Sequence, residues 1–227
     1  MKRSCEVSWL GRVDYQEAWD LQMQLVRDRA QGRIPDQLLV LEHPHVFTLG
    51  RRGRTANVLS SDEQIIAAGA QLIHSDRGGD VTYHGPGQLV GYPILYLEEN
   101  ERDVPRYVRR LEEAIIRTLA SFGIESGREP EFPGVWIGEE KICAIGVKIS
   151  EWVTLHGFAL NVTTDMSFFQ HIVPCGIVGK GVTSIERLLT PVPSLAELGE
   201  RFMECFGEVF DREMVTRPAG VAAAAGG

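Results

Sequence analysis

The chain has 227 residues, with 31 acidic against 23 basic side chains and a formal charge of −8. That length supports one large core, and 44% hydrophobic with 24% charged residues is the mixture of a folded globular chain. The acidic balance argues against general nucleic-acid binding. No apolar run is long enough to span a membrane, and none follows the basic start at Met1–Glu6 as a secretory leader would, so a cytoplasmic chain without a membrane partner is expected.

In chain order, Asp14-Tyr-Gln-Glu17 has the form of a capping box. It predicts a helix burying Ala18, Leu21, Leu25 and Val26 and ending near Gly32. Gln37–Glu42 reads as a core strand, followed by His43-Pro-His45, the run Val46–Leu49 and a glycine–arginine cluster from Gly50 to Arg54. A short helix is predicted over 61–70. A long one starts with Pro105 in its first turn, carries Val108, Leu111, Ile115, Leu119 and Phe122 on one face, and stops at Gly123. Gly134–Gly138 and Lys141–Ile149 pair as a hairpin, and Trp152–Val162 is a further strand. Ser194-x-x-Glu197 caps a last helix with Leu195, Leu198, Phe202, Cys205, Phe206 and Val209 inward. Strands and helices mix without regular alternation, which predicts an α+β fold in a single domain over 1–219 and a frayed alanine–glycine tail over 220–227.

The segment from Arg77 to Gln88 concentrates four glycines, a proline, an arginine and a histidine ahead of the strand-like run Leu89–Leu95. Glycine lets a backbone approach a ligand closely, and a plain turn has no need of Arg77, Tyr83, His84 and Gln88 between the glycines. The cysteines Cys5, Cys143, Cys175 and Cys205 are scattered with no CxxC pair, so neither a metal site nor a disulfide framework is expected. Cys205 and Cys143 read as core residues and Cys5 as incidental near the terminus. Cys175 stands between Pro174 and Gly176 in a turn. A catalytic thiol needs a basic or cationic neighbour, for which the six histidines and Lys141 are all open. By spacing alone Lys141 is a solvated hairpin-end lysine.

In their order and spacing these blocks resemble the lipoyl(octanoyl) transferase family, from about Val13 to Leu188. They are Glu42-His43-Pro44 with Thr48-Leu49-Gly50; Arg77-Gly78-Gly79 with Thr82 to Gln88; Gly134-Val135-Trp136 with Lys141-Ile142 and Ile145-Gly146-Val147; His156 to Val162; and Pro174-Cys175-Gly176-Ile177 with Val182-Thr183-Ser184. The resemblance implies a mixed sheet flanked by helices, the catalytic fold shared with biotin and lipoate protein ligases. It makes Cys175 the acyl-thioester nucleophile and Lys141 the residue that activates it. It places substrate binding at Arg77, Gly78, Gly79, Asp80, Val81, Thr82, Tyr83 and His84, at Ala144, Ile145 and Gly146, and at Gly157, Phe158 and Ala159.

The implied reaction carries an octanoyl group from octanoyl-acyl carrier protein to a lysine of lipoyl domains of 2-oxoacid dehydrogenases and of the glycine cleavage H protein. It uses no cofactor, and a monomer is expected. His84 either orients the carbonyl or braces its loop, while a structural role is expected for His156. Arg51, Arg52 and Arg54 are candidates for docking an acidic partner, against the alternative of solvated surface; Arg106, Arg109 and Arg110 read as surface. The rival readings are an ATP-dependent lipoate or biotin ligase, a cysteine acyl hydrolase and a non-catalytic carrier-binding module.

Overall fold

The computed structural model describes residues 2–174 and 179–216. Among these, an eight-stranded mixed sheet forms the frame. Its strands are β1 (Arg3–Arg12), β2 (Asp36–Glu42), β6 (Gln88–Ile94), β7 (Gly134–Ile137), β8 (Glu140–Ser150), β9 (Val153–Asn161), β10 (Gly181–Val182) and β11 (Arg212–Thr216). The order is β10-β8-β9-β6-β2-β1-β11, with β7 also paired to β8. The β2–β6–β9–β8–β7 run is antiparallel; β1 is parallel to both β2 and β11, and β10 is parallel to β8. A second sheet, β4-β3-β5, holds β3 (Val46–Leu49), β4 (Gln71–His74) and β5 (Val81–His84).

Successive side chains of a strand point to opposite faces, and β2 uses both. Leu38 and Val40 join Leu89, Phe158 and Leu160 under the helices α3 (Val104–Ser121) and α4 (Leu195–Val209). Leu39 and Leu41 join Val90, Tyr92 and Ala159 under α1 (Tyr15–Ala30). A strand covered on both sides is apolar at nearly every position, which is why Gln-Leu-Leu-Val-Leu-Glu was legible as core. The helix starts follow their caps. Asp14 accepts from the backbone N–H of Gln16 and Glu17, Asp103 from Arg106, and Ser194 with Glu197 forms a full capping box. Ser61 caps the short α2 (Asp62–Ala67) in the same way.

Two expectations change. Cys5 is not incidental: β1 is an interior strand, and Cys5 is fully buried in the main core. The glycine-rich segment is not all loop either, since Val81–His84 forms β5 and pairs with β3. Its alternation splits the signature residues. Tyr83 packs into the second core with Phe47 and Phe169 and hydrogen-bonds His45, while Thr82 and His84 lie on the other face.

Candidate active site

The second sheet, the start of α1 and the β8–β9 hairpin enclose a cavity of about 620 Å³. Its floor is backbone. Gly146 on β8 faces Gly157 on β9, and the Gly78 N–H donates to the Val147 carbonyl at 2.9 Å, stitching the signature loop to β8. Side chains are excluded here by contact. A Cβ on Gly157 would lie 2.0 Å from the Gly91 carbonyl oxygen, and one on Gly146 would lie 2.8 Å from that of Gly78. The glycines therefore set the depth of the cavity.

Lys141 lies at one end. It is 5% exposed, and its ammonium donates to the Pro133 carbonyl at 3.2 Å and sits 4.8 Å from the Trp136 ring centroid. A cation over an indole face is held by the ring quadrupole. Gly134, at φ +134°, makes room for this side chain: a Cβ there would come within 3.3 Å of the lysine's Cδ and Cε. The strand edge at Lys141 is not open either: β10 pairs along it, with Val182 opposite Lys141 and the Thr183 N–H bonded to the Lys141 carbonyl. Lys141 is thus a buried side chain lining the cavity, and the solvated reading falls.

Arg77 turns back on its own loop. Its guanidinium donates to the Thr48 hydroxyl and carbonyl and to the carbonyls of Gly78 and Asp80. It shapes the loop that walls the cavity. Asp80 fixes the opposite turn through the Arg54 N–H and the Asn57 side chain. Gln88 ties the pieces together: it accepts from His84 Nδ1 and donates to Asn161, which donates to the Thr183 carbonyl. His84 therefore braces its loop. Burial holds its imidazole neutral, well below the ordinary histidine range.

The opposite end of the cavity is also polar but carries neutral groups. Tyr15 and Tyr92 line it with His84 and His156. Burial drives the Tyr92 phenol up, and its hydroxyl meets Nε2 of His43, whose Nδ1 meets the Val13 carbonyl. His43 is pushed down to about 4 by the same burial. His156 bonds Asp76 at 2.6 Å, and Lys148 takes the second carboxylate oxygen at 2.6 Å. The bond from His156 holds the Asp76 carboxyl down at about 2. Sequence reasoning named His84 as a site residue and gave His156 a structural role, but missed the rest of this end. Tyr15, Tyr92 and Asp76 lie outside the glycine-rich blocks, and His156 adopts φ +56° inside a strand, which no residue pattern announces.

Of the sequence-predicted binding residues, Arg77, Gly78, Gly79, Asp80, Val81, Thr82, His84, Ala144, Ile145, Gly146, Gly157, Phe158 and Ala159 line the cavity together with Lys141. Tyr83 does not; it faces the second core. Arg52 and Arg54 stand at the cavity with exposed side chains, next to exposed Arg51. Arg110 is no surface charge, since its guanidinium bonds the Val209 carbonyl and stacks on Phe210. Cys175 lies outside the described residues. Cys5, Cys143 and Cys205 are all buried, and burial drives the thiols of Cys5 and Cys143 up, away from thiolate chemistry. No group of three or more His, Cys, Asp or Glu side chains among the described residues is placed to hold a metal, and no helix among them is long and apolar enough to cross a membrane.

The chain thus sets a buried lysine at one end of a glycine-floored cleft, on a mixed sheet with helices on both faces, a fold it shares with lipoate and biotin protein ligases. The bipartite lipoate protein ligase of Thermoplasma acidophilum, studied with its lipoyl domain, superposes with a TM-score of 0.71 at 18% identity, covering 98% of this chain and 89% of that one. The biotin protein ligase of Aquifex aeolicus in complex with biotin and ATP gives 0.55 at 14% identity, over 91% of this chain and 70% of that one. These likenesses establish the fold. At the level of sequence, the chain belongs to the family described as the lipoyl protein ligase A/B catalytic domain, matched over residues 14–207. Among its curated relatives are octanoyltransferases. That of Solibacter usitatus is 57% identical over 213 residues, 94% of this chain and 96% of that protein. That of Rubrobacter xylanophilus is 53% identical, covering 88% and 90%. The protein is an acyltransferase of this group.

Proposed function

We propose that the chain transfers an octanoyl group from octanoyl-acyl carrier protein to a lysine of lipoyl domains, through a thioester on Cys175. The observation that carries this reading is where the chain on either side of Cys175 is fastened. On one side the Val173 N–H bonds the Asn57 carbonyl, at the cavity. On the other, Gly181 and Val182 pair with Glu140 and Lys141. The described residues that precede and follow 175–178 in the chain are therefore fastened at two places bordering the cavity, the second on the strand that carries Lys141. Supporting it, the thiols of the remaining cysteines are sequestered in the cores.

In the first half-reaction the Cys175 thiolate, its proton held on Lys141, attacks the thioester carbonyl, and the carrier thiolate leaves and takes that proton from the Lys141 ammonium, which stands as a neutral amine for the second half. Lys141 favours the thiolate by charge. In the second half, the neutral amine of the substrate lysine attacks the acyl-enzyme and Lys141 takes up its proton, so the thiolate is released and an amide forms. Thioester exchange is nearly balanced and amide formation is downhill, so no nucleotide is required. The apolar part of the cavity holds the chain at about 0.8 kcal/mol per buried CH₂.

Arg51, Arg52 and Arg54 give the acidic protein a local positive edge at the cavity for an acidic carrier or lipoyl domain. Changing Arg52 and Arg54 together to Glu should raise KM for the carrier protein at low salt and matter less at high salt. An unchanged KM at low salt would move the docking surface elsewhere. The test of the reaction itself is Cys175→Ser: transfer should vanish, and ATP should not alter the wild-type rate. A strict ATP requirement would favour the ligase reading, and rapid release of free octanoate without an acceptor would favour a hydrolase.

A further inference from the structure

The Lys141 nitrogen is held by a peptide unit that α3 holds in turn. Nζ of Lys141 donates to the Pro133 carbonyl at 3.2 Å, and the N–H of that same peptide, on Gly134, donates to Oε1 of Glu112 at 3.1 Å. The carbonyl and N–H of one trans peptide share a plane and point in opposite directions. The carboxylate on one side therefore fixes the direction in which the carbonyl on the other side receives the lysine. Glu112 reaches this point because it lies two turns past Val104 and one past Val108, the α3 residues that line the cavity.

A strand cap alone has no need of a charged residue here. Glu112 is 4% exposed, and burying a carboxylate costs more than burying a neutral acceptor that would satisfy one N–H. Arg128 offsets that cost. Its Nε donates to Oε2 of Glu112 at 3.1 Å, and its Nη2 donates to the Glu113 carboxylate and the Arg109 carbonyl, so the pair is anchored on α3. What the charge adds is polarisation. An anion that accepts a peptide N–H pushes electron density on to the oxygen of the same peptide, and hydrogen bonds in such a chain strengthen one another. The chain from carboxylate to Nζ runs through buried residues, Glu112, Gly134 and Lys141. Its middle member is fixed as well: Gly134 sits at φ +134°, and a Cβ there would lie 2.6 Å from the Cys143 carbonyl oxygen.

We propose that Glu112 is a positioning residue for Lys141, acting through the Pro133–Gly134 peptide to hold the lysine nitrogen at the cavity in the place where a proton is given and taken. It touches no substrate. The inference rests on the proton-transfer role given to Lys141 in the acyl-transfer reading.

Two double variants isolate the acceptor oxygen. In an Arg128→Met chain, Glu112→Gln and Glu112→Met carry the same charge and nearly the same length, but only the glutamine keeps an oxygen for the Gly134 N–H. With octanoyl-acyl carrier protein as donor and a lipoyl domain as acceptor, the glutamine form should have a kcat about tenfold above the methionine form, the fold-change of one hydrogen bond, at an unchanged KM for the carrier protein. Equal kcat values, with the two forms differing only in unfolding midpoint, are the result of a residue that merely caps β7 and overturn the proposal. A difference confined to KM overturns it too. Glu112→Asp in the otherwise unaltered chain makes the test independently of whether the double variants fold. It keeps a carboxylate for Arg128 but is shorter by one carbon–carbon bond, about 1.5 Å, and draws back from Gly134. Its kcat should fall several-fold with KM unchanged, and a wild-type kcat overturns the proposal. Wild-type rates of transfer by Lys141→Gln would instead overturn the role of Lys141 on which the inference rests.

Discussion

The two ends of the cavity solve the problem of buried polarity in opposite ways. At the Lys141 end the side-chain nitrogen donates to a proline carbonyl and lies over an indole face. At the His84–Tyr92–His156 end every imidazole is driven towards its neutral form by burial, and the phenol of Tyr92 stays protonated. The Lys141 end presents an amine to the cavity, whereas the other end presents imidazole and phenol rings, one of them bonded to the paired charges of Asp76 and Lys148.

The contrast breaks most completely at Lys141. Lys141→Gln should lower kcat by about 10²–10⁴, the usual weight of a positioned proton-transfer group. It should affect both acyl-enzyme formation and its discharge, which pre-steady-state kinetics separates. A loss confined to KM would make the lysine a binding residue only. At the other end the signature is in stability. His43 falls from about 6.5 unfolded to about 4 folded. The unfolded chain therefore binds the extra proton first as pH drops, and stability is lost between about 6.5 and 4 and levels below. The loss is on the order of 3 kcal/mol. Denaturant titrations of the wild type and His43→Gln at pH 7 and pH 4.5 should show the variant with the shallower slope. Parallel slopes would mean that His43 is not buried neutral.

Between the ends lies the glycine floor. Gly157→Ala puts a methyl against the Gly91 carbonyl and Pro93, both on a neighbouring strand. It should cost about 1–3 kcal/mol or more in folding stability, since neither a backbone carbonyl nor a proline ring can turn aside. Full stability with full activity would mean the β6–β9 spacing is looser than described. Trp136→Leu is the mildest probe. It removes the π face under Lys141 and under Lys180, whose ammonium is 5.2 Å from the same ring. A cation–π contact of about 1 kcal/mol predicts a several-fold fall in kcat/KM with a small change in unfolding midpoint.

Much of this frame was legible before any coordinates. The helices announce themselves through caps and three-to-four spacing, and β2 through an unbroken apolar run. The glycine blocks mark the cavity floor because only glycine fits between strands that press so close. What stayed hidden is what depends on distant partners. Cys5 looked incidental because nothing local says that β1 runs inside the sheet between β2 and β11. Tyr83 looked like a binding residue because its block reads as loop, whereas strand pairing with β3 turns it to the second core. Lys141 looked solvated because spacing shows neither that its side chain folds over Trp136 and the Pro133 carbonyl nor that β10, some forty positions later, pairs beside it. His156 needs a left-handed backbone that histidine does not signal, and its partner Asp76 comes from the opposite wall.

The central claim is that the acyl group pauses on Cys175 beside Lys141. Intact mass spectrometry of the protein mixed with octanoyl-acyl carrier protein, without ATP, tests it most directly. The account predicts one octanoyl adduct, mapped to Cys175 by peptide sequencing and discharged on adding a lipoyl domain. An octanoylated lipoyl domain formed with no adduct at any time point, or an adduct that the lipoyl domain does not discharge, would contradict it.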